Sequence, residues 1–308
     1  LLSPNGDGIY GLGGVSISTN RAGQSVFLEA EAKRIELFYW RQPGGGPLTF
    51  SENGSAVETI STDGPEGPGY FQYTSAALGD AQGPRRFELT TLDRAPVRLF
   101  GWVTENPRGV TYEPLGINGA QANLMLGWDQ RLLAEHLAKR NPGLIVLAYG
   151  TNESGQKDWT YESYKQAFTT VIQTLRKAAP AASILVAGPP DRMTYSRYTL
   201  IPYPRLEMII QAQRDAAVEN QCAFWDLRER MGGAGAMRRW VVAGAAQSDF
   251  VHFTAPGYRL IGVTLFNDLM EQYAGFLRVR DKVFSAENGK TAEGSFSHSR
   301  DRQEKPQP

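Results

Sequence analysis

Residues 144–153 read LIVLAYGTNE. The run Leu144–Tyr149 is apolar throughout. It is too short for an ordinary helix, and it lacks the alternation of a strand with one wet face. It reads as a parallel strand buried on both faces. The abrupt switch to Gly-Thr-Asn-Glu sets polar residues at the strand's carboxyl end.

Upstream, Met125, Trp128, Leu132, Leu133 and Leu137 recur at helix spacing within 120–140, and Asn141-Pro142-Gly143 stops that helix. Before it, GVTYEPLGI (109–117) reads as a strand ending in the turn NGAQ (118–121). Downstream, Tyr161, Tyr164, Phe168, Val171, Ile172 and Leu175 mark a helix ended by Pro180. SILVAG (183–188) is a second buried strand and CAFWDL (222–227) a third. Residues 207–219 and 258–276 read as helices. Strands alternating with helices predict a parallel sheet with helices on both faces. In such sheets ligands bind outside the carboxyl ends of the strands.

Residues 1–108 follow a different period. Eight short runs rich in β-branched and aromatic residues recur, from GVSIST (14–19) to PVRLFGWV (96–103). Clusters such as QPGGG, ENGS and DGPEGPG separate them. This pattern predicts an antiparallel, jelly-roll-like β-sandwich. Gly44–Gly46 lacks the Lys-Ser/Thr of a phosphate loop and reads as a hairpin turn. The expected organisation is a β-sandwich over 1–108, an α/β domain over 109–285, and a polar, disordered tail over 286–308.

Bulk properties exclude several classes. The 308 residues carry zero formal net charge, so no overall field favours nucleic acid or an anionic membrane. No apolar run approaches the roughly 20 residues that span a bilayer. Cys222 is the single cysteine, which removes disulfide frameworks and Cys-rich metal sites. It reads as a buried apolar residue.

Of three histidines, His298 lies in the tail and His136 lies mid-helix beside the apolar stripe, which suits packing. His252 differs. In SDFVHFTAPGY (248–258) it follows Asp249 by three residues, outside any regular run. Thr254 as N-cap and Pro256 in the first turn explain TAPG as a helix entry. They do not explain Asp-x-x-His. A carboxylate on one ring nitrogen fixes the tautomer of a general base. Asn152 at the end of LIVLAY suits either a turn or an oxyanion donor. Gly119 in NGAQ suits either a tight turn or a bare backbone N–H facing a ligand.

These residues resemble the blocks of the SGNH hydrolase superfamily, the GDSL-type esterases. GINGAQ matches the second block with Gly119, YGTNE the third with Asn152, and DFVHFTAPGY the fifth with Asp249 and His252. The resemblance implies a three-layer α/β/α fold, no cofactor or metal, and Gly119 and Asn152 as oxyanion donors beside the Asp249–His252 pair. The Gly-Asp-Ser of the first block is missing. Asn5-Gly6-Asp7-Gly8 has no serine after its Gly-Asp, and Ser3 and Ser16 precede strand-like runs. The order of the two halves is similar to peptidoglycan O-acetylesterases of Gram-negative bacteria, in which a carbohydrate-binding-module-like sandwich sits between the first and second blocks. That implies an acetylated glycan substrate, a periplasmic or cell-envelope location, and a nucleophile upstream of Leu1. An esterase of another polysaccharide, an O-acetyltransferase and a non-catalytic glycan-binding fragment or pseudoenzyme are the alternatives. Tyr39, Trp40, Tyr70, Phe71 and Tyr73 are either core residues or a sugar platform.

Overall fold

The computed structural model describes residues 6–75 and 83–296, with side chains described as far as residue 280. The chain divides into two compact units, Leu1–Pro190 with Tyr203–Asp226, and Asp191–Pro202 with Leu227–Pro308.

The first unit opens with eight strands: β1 (Ile17–Thr19), β2 (Ser25–Ala30), β3 (Arg34–Arg41), β4 (Pro47–Glu52), β5 (Ser55–Ser61), β6 (Gly67–Thr74), β7 (Arg85–Thr91) and β8 (Val97–Glu105). They form two four-stranded antiparallel sheets, ordered β1-β8-β3-β6 and β2-β7-β4-β5. Most connections cross from one sheet to the other, as in a jelly roll. Alternation sets the core: Phe87 and Leu89 from β7 meet Ile35, Leu37 and Tyr39 from β3, with Leu48 and Phe50 from β4. Gly44–Gly46 is such a crossing, between β3 and β4, and so is not the hairpin turn expected of it.

β3 is buried along nearly its whole length. Its residues Ile35, Leu37 and Tyr39 fill the sandwich. Its other face carries Phe38 and Trp40 into a second cluster with Phe100 and Leu132. Glu36 on that face is buried and pairs with Lys139 at 2.7 Å and Arg140 at 3.4 Å. Arg140 also pairs with Glu105 and Glu113. The five aromatics weighed as a sugar platform are therefore core residues. Tyr39 and Trp40 are buried, Phe71 and Tyr73 pack against the sandwich core, and Tyr70 packs against the second cluster.

After β8 come a 3-10 turn (Ala122–Gly127), α1 (Gln130–Arg140), β9 (Leu144–Ala148), α2 (Thr151–Ser154), α3 (Tyr161–Ala178), β10 (Ser183–Ala187), β11 (Met193–Ser196), β12 (Thr199–Pro202), α4 (Leu206–Glu219), β13 (Ala223–Trp225), α5 (Leu227–Arg230), α6 (Ala236–Val242) and α7 (Ala255–Phe296). β13, β10 and β9 form a parallel sheet in that order. Phe168, Val171 and Ile172 of α3 pack with Ile184 and Val186 of β10 and Ile209 and Ala216 of α4. The protein is thus a mixed α/β chain, with antiparallel sheets preceding a parallel one.

Four expectations need correction. Residues 109–117 form no strand, and Val110 and Tyr112 stand exposed. Pro114 withholds a ladder donor, and the segment joins no strand ladder among the described residues. The expected helix over 120–140 is two pieces, because Asp129 caps α1 by accepting the Leu132 N–H at 2.8 Å. β9 is not buried on both faces: it pairs only with β10 among the described residues, and Leu144 and Val146 are 49% and 44% exposed. The last helix runs on through residues 286–296, where a disordered tail was expected. Ala286, Glu287, Lys290 and Glu293 favour helix, and extension needs no new nucleus. Residues 297–308, with His298, lie outside the described residues, as does Ser3.

In the second unit β11 and β12 form a hairpin. Buried Asp191 accepts Arg228 Nε at 3.2 Å and the Met237 N–H at 2.9 Å, tying the hairpin's base to α5 and α6. Trp240, Phe253 and Tyr258 stack edge to face, with ring centroids 5.4 and 5.5 Å apart. Gly257 lies so close to the Ala245 carbonyl that a Cβ would sit 1.9 Å from its oxygen, so only glycine fits there.

Candidate active site

Asp249 and His252 occupy a tight loop held at both ends. Gln247 N–H donates to the His252 carbonyl at 2.8 Å, and Thr254 N–H to the Ala245 carbonyl at 3.0 Å. Between them Phe250 takes a left-handed φ of 59°, a strained conformation for an aromatic residue. The turn aims the two candidate side chains at one another. Asp249 Oδ2 lies 2.7 Å from His252 Nδ1, and Oδ1 accepts the N–H groups of Val251 and His252 at 2.9 and 3.0 Å. Burial works against ionisation of Asp249, but the imidazole and the two backbone donors outweigh it and hold its carboxyl at about 2. An ionised carboxylate only accepts, so Nδ1 carries the proton and Nε2 presents its lone pair. His252 and Asp249 side chains are 66% and 45% exposed, which leaves Nε2 open to a reactant.

The other two sequence candidates lie in the first unit, on loops bonded to each other. Ala120 N–H donates to the Ile117 carbonyl at 3.1 Å, and Gly119 within this turn has φ 80°. That φ calls for glycine, although a Cβ there would meet nothing. The Gly119 N–H makes no hydrogen bond among the described residues. Asn152 is the second residue of α2, and its Nδ2 donates to the Ala120 carbonyl at 2.8 Å. One amide hydrogen is engaged there, which fixes the group and leaves the second for a ligand.

Glu153 was missed by the sequence reading. It is buried, with Oε1 accepting the Ala122 N–H at 2.9 Å and Oε2 the Gly150 N–H at 2.8 Å. Burial pushes its carboxyl up, against three backbone bonds that pull it down. One side chain thus ties the Gly119 loop to the Asn152 loop.

The remaining candidates are structural. His136 is fully buried among Phe38, Phe100 and Tyr70, with Tyr70 Oη 3.1 Å from its Nδ1. Burial pushes its pKa down to about 4, so the ring is neutral. Asp7 pairs with Arg98 at 2.7 Å and caps the Ile9 N–H. Cys222 is half-buried, with Arg176 Nη2 3.3 Å from its sulfur, not a fully buried apolar residue.

A family model, the GDSL-like lipase/acylhydrolase family, matches residues 77–260, more than half of the chain. The chain belongs to that family. Among solved structures, this acylhydrolase is similar to a peptidoglycan O-acetylesterase, at 29% identity and a TM-score of 0.74, over 88% of this chain and 75% of that one. A lipase/acylhydrolase from Enterococcus faecalis matches at 18% identity and a TM-score of 0.37, over 50% of this chain and 72% of that one. A family two carbohydrate esterase from Clostridium thermocellum matches at 12% identity and 0.36, over 83% and 94%. No curated protein matches the sequence. Among the described residues no helix is long and apolar enough to cross a membrane.

Proposed function

We propose that this GDSL-like acylhydrolase removes O-acetyl groups from peptidoglycan through an acyl-enzyme. The observation that carries the reading is the 2.7 Å Asp249–His252 bond, which makes Nε2 an exposed, oriented base. The substrate class is taken from the peptidoglycan O-acetylesterase that the chain resembles at 29% identity. With that substrate the protein works in the periplasm or cell envelope.

The reaction needs a serine, and residues 1–308 contain no Gly-Asp-Ser. We assign the nucleophile to a segment preceding Leu1. β9 pairs only with β10 among the described residues, and its open edge suits one further parallel strand. His252 Nε2 takes the serine proton as its oxygen attacks the acetyl carbonyl. Gly119 N–H and the free Asn152 N–H stabilise the oxyanion. The imidazolium protonates the departing sugar oxygen, and the acetyl group stays on the serine. His252 then deprotonates water, which releases acetate and regenerates the hydroxyl.

The test is acetate release from O-acetylated peptidoglycan by the product of the whole reading frame, compared with residues 1–308 alone and with His252→Ala. Release by the first alone is expected. An acyl-enzyme formed by residues 1–308 on an activated acetyl ester overturns the assignment of the nucleophile. Release only from acetylated xylan overturns the substrate, and acetyl transfer to a chito-oligosaccharide overturns hydrolysis.

A further inference from the structure

The loop after β10 carries the β11–β12 hairpin, whose build is unusual. Ser196 pairs with Thr199, so Arg197 and Tyr198 alone form the turn. Two-residue turns strongly favour Gly, Asn or Asp where φ is positive. Here Arg197 takes φ 54°. The turn therefore accepts backbone strain in exchange for two long side chains at its tip. Strain of this kind persists where a ligand site needs the geometry. Tyr198 is 99% exposed and Tyr195, on β11, 63% exposed. Burial does not explain either ring.

The hairpin is fastened to the segment that carries the imidazole. Met193 N–H donates to the Phe250 carbonyl at 3.2 Å. The Tyr195 ring meets the Phe250 ring edge to face, at a centroid distance of 6.3 Å. Phe250 is next to Asp249 and two residues from His252. Two tyrosines and an arginine thus stand out from the strand pair that braces the catalytic loop. A tyrosine offers an apolar face with a polar tip, which fits the C–H face and hydroxyl rim of a pyranose. A guanidinium supplies donors to carbonyl or carboxylate oxygens.

We propose that the β11–β12 hairpin is a glycan subsite of the esterase. Tyr195 and Tyr198 stack on sugar rings flanking the acetylated residue, and Arg197 donates to their oxygen substituents. The proposal rests on the glycan-esterase reading above and adds the residues that hold the polymer. It explains why an arginine occupies a position where glycine would make a more stable turn.

The test is binding, which needs no nucleophile. The 308-residue chain is titrated with soluble O-acetylated glycan strands released from peptidoglycan, and in parallel with acetylated xylo-oligosaccharides. Tyr195→Ala and Tyr198→Ala are each expected to weaken glycan-strand binding about tenfold with an unchanged melting temperature. Arg197→Gly is expected to raise the melting temperature by relieving the turn and to weaken binding. Wild-type binding that all three variants retain in full overturns the subsite and leaves the glycan reading standing. No wild-type binding to either glycan overturns both. An Arg197→Gly variant with a lower melting temperature overturns the assignment of turn strain to ligand binding.

Discussion

Glu153 accepts the backbone N–H of Ala122, thirty-one residues upstream, at 2.9 Å, while its other oxygen accepts that of Gly150. Replacing it with alanine leaves both donors buried without acceptors, each worth about 1–3 kcal/mol. Glu153→Ala is therefore expected to cost about 3 kcal/mol by urea unfolding, and Glu153→Gln, which keeps one acceptor, about half of that. A cost for alanine below about 0.5 kcal/mol would show that the two loops hold their positions without the clamp.

Asp249→Asn keeps an oxygen for the Val251 and His252 N–H groups but sets an amide N–H₂ against Nδ1. The imidazole must then accept at Nδ1 and carry its proton on Nε2, where it is no base. In the product of the whole reading frame the change is expected to lower kcat about 10⁴-fold with stability within about 0.5 kcal/mol, since the pair is solvent-exposed. Asp249 titrates at about 2, below its ordinary value. The bond to His252 is thus present above the unfolded-state value of 3.8 and is lost only as pH falls through about 2. An acid limb of activity at higher pH belongs to another group, and Asp249→Asn with near-normal kcat would remove Asp249 from the site.

His136 gives a second pH dependence of opposite origin. An unfolded imidazole takes up its proton near 6.5, whereas the folded one stays neutral to about 4. The unfolded chain binds the extra proton in that window, so stability falls as pH drops through it and is unaffected by this group above it. The full loss is about 3 kcal/mol. Chemical unfolding of wild type and His136→Leu between pH 7.5 and 4 checks this, and equal slopes would refute it.

β9 offers a test of packing. Leu147→Ala, at a buried position of the α/β core, is expected to cost about 2–5 kcal/mol. Leu144→Ala, half-exposed on the same strand, is expected to cost under about 1 kcal/mol in the 308-residue chain. Comparable losses would mean that Leu144 is covered in solution.

Local pattern carried much of the fold into view. Each of the eight runs before residue 108 is a strand, and the stop at Asn141 is a left-handed helix cap with φ 44°. The β11–β12 hairpin was hidden because its turn is Arg-Tyr, not the Asn-Gly that marks such loops. LIVLAY has the composition of a central strand, but exposure depends on its neighbours, which composition does not reveal. In the candidate site, the contact between Asp249 and His252 was readable because their three-residue spacing lies within one loop. Glu153 was not, because its partner Ala122 is brought to it only by folding.

The two faces of β3 set a limit on dissection. A cut near residue 108 looks natural, since the antiparallel strands end at Glu105. Yet such a cut strips Phe38 and Trp40 of Leu132, and Glu36 of both its cations. The excised sandwich would carry a greasy, acid-studded flank and is a poor reagent for glycan-binding work. A usable version needs the outward residues of that one strand rewritten as polar, leaving Ile35, Leu37 and Tyr39 untouched.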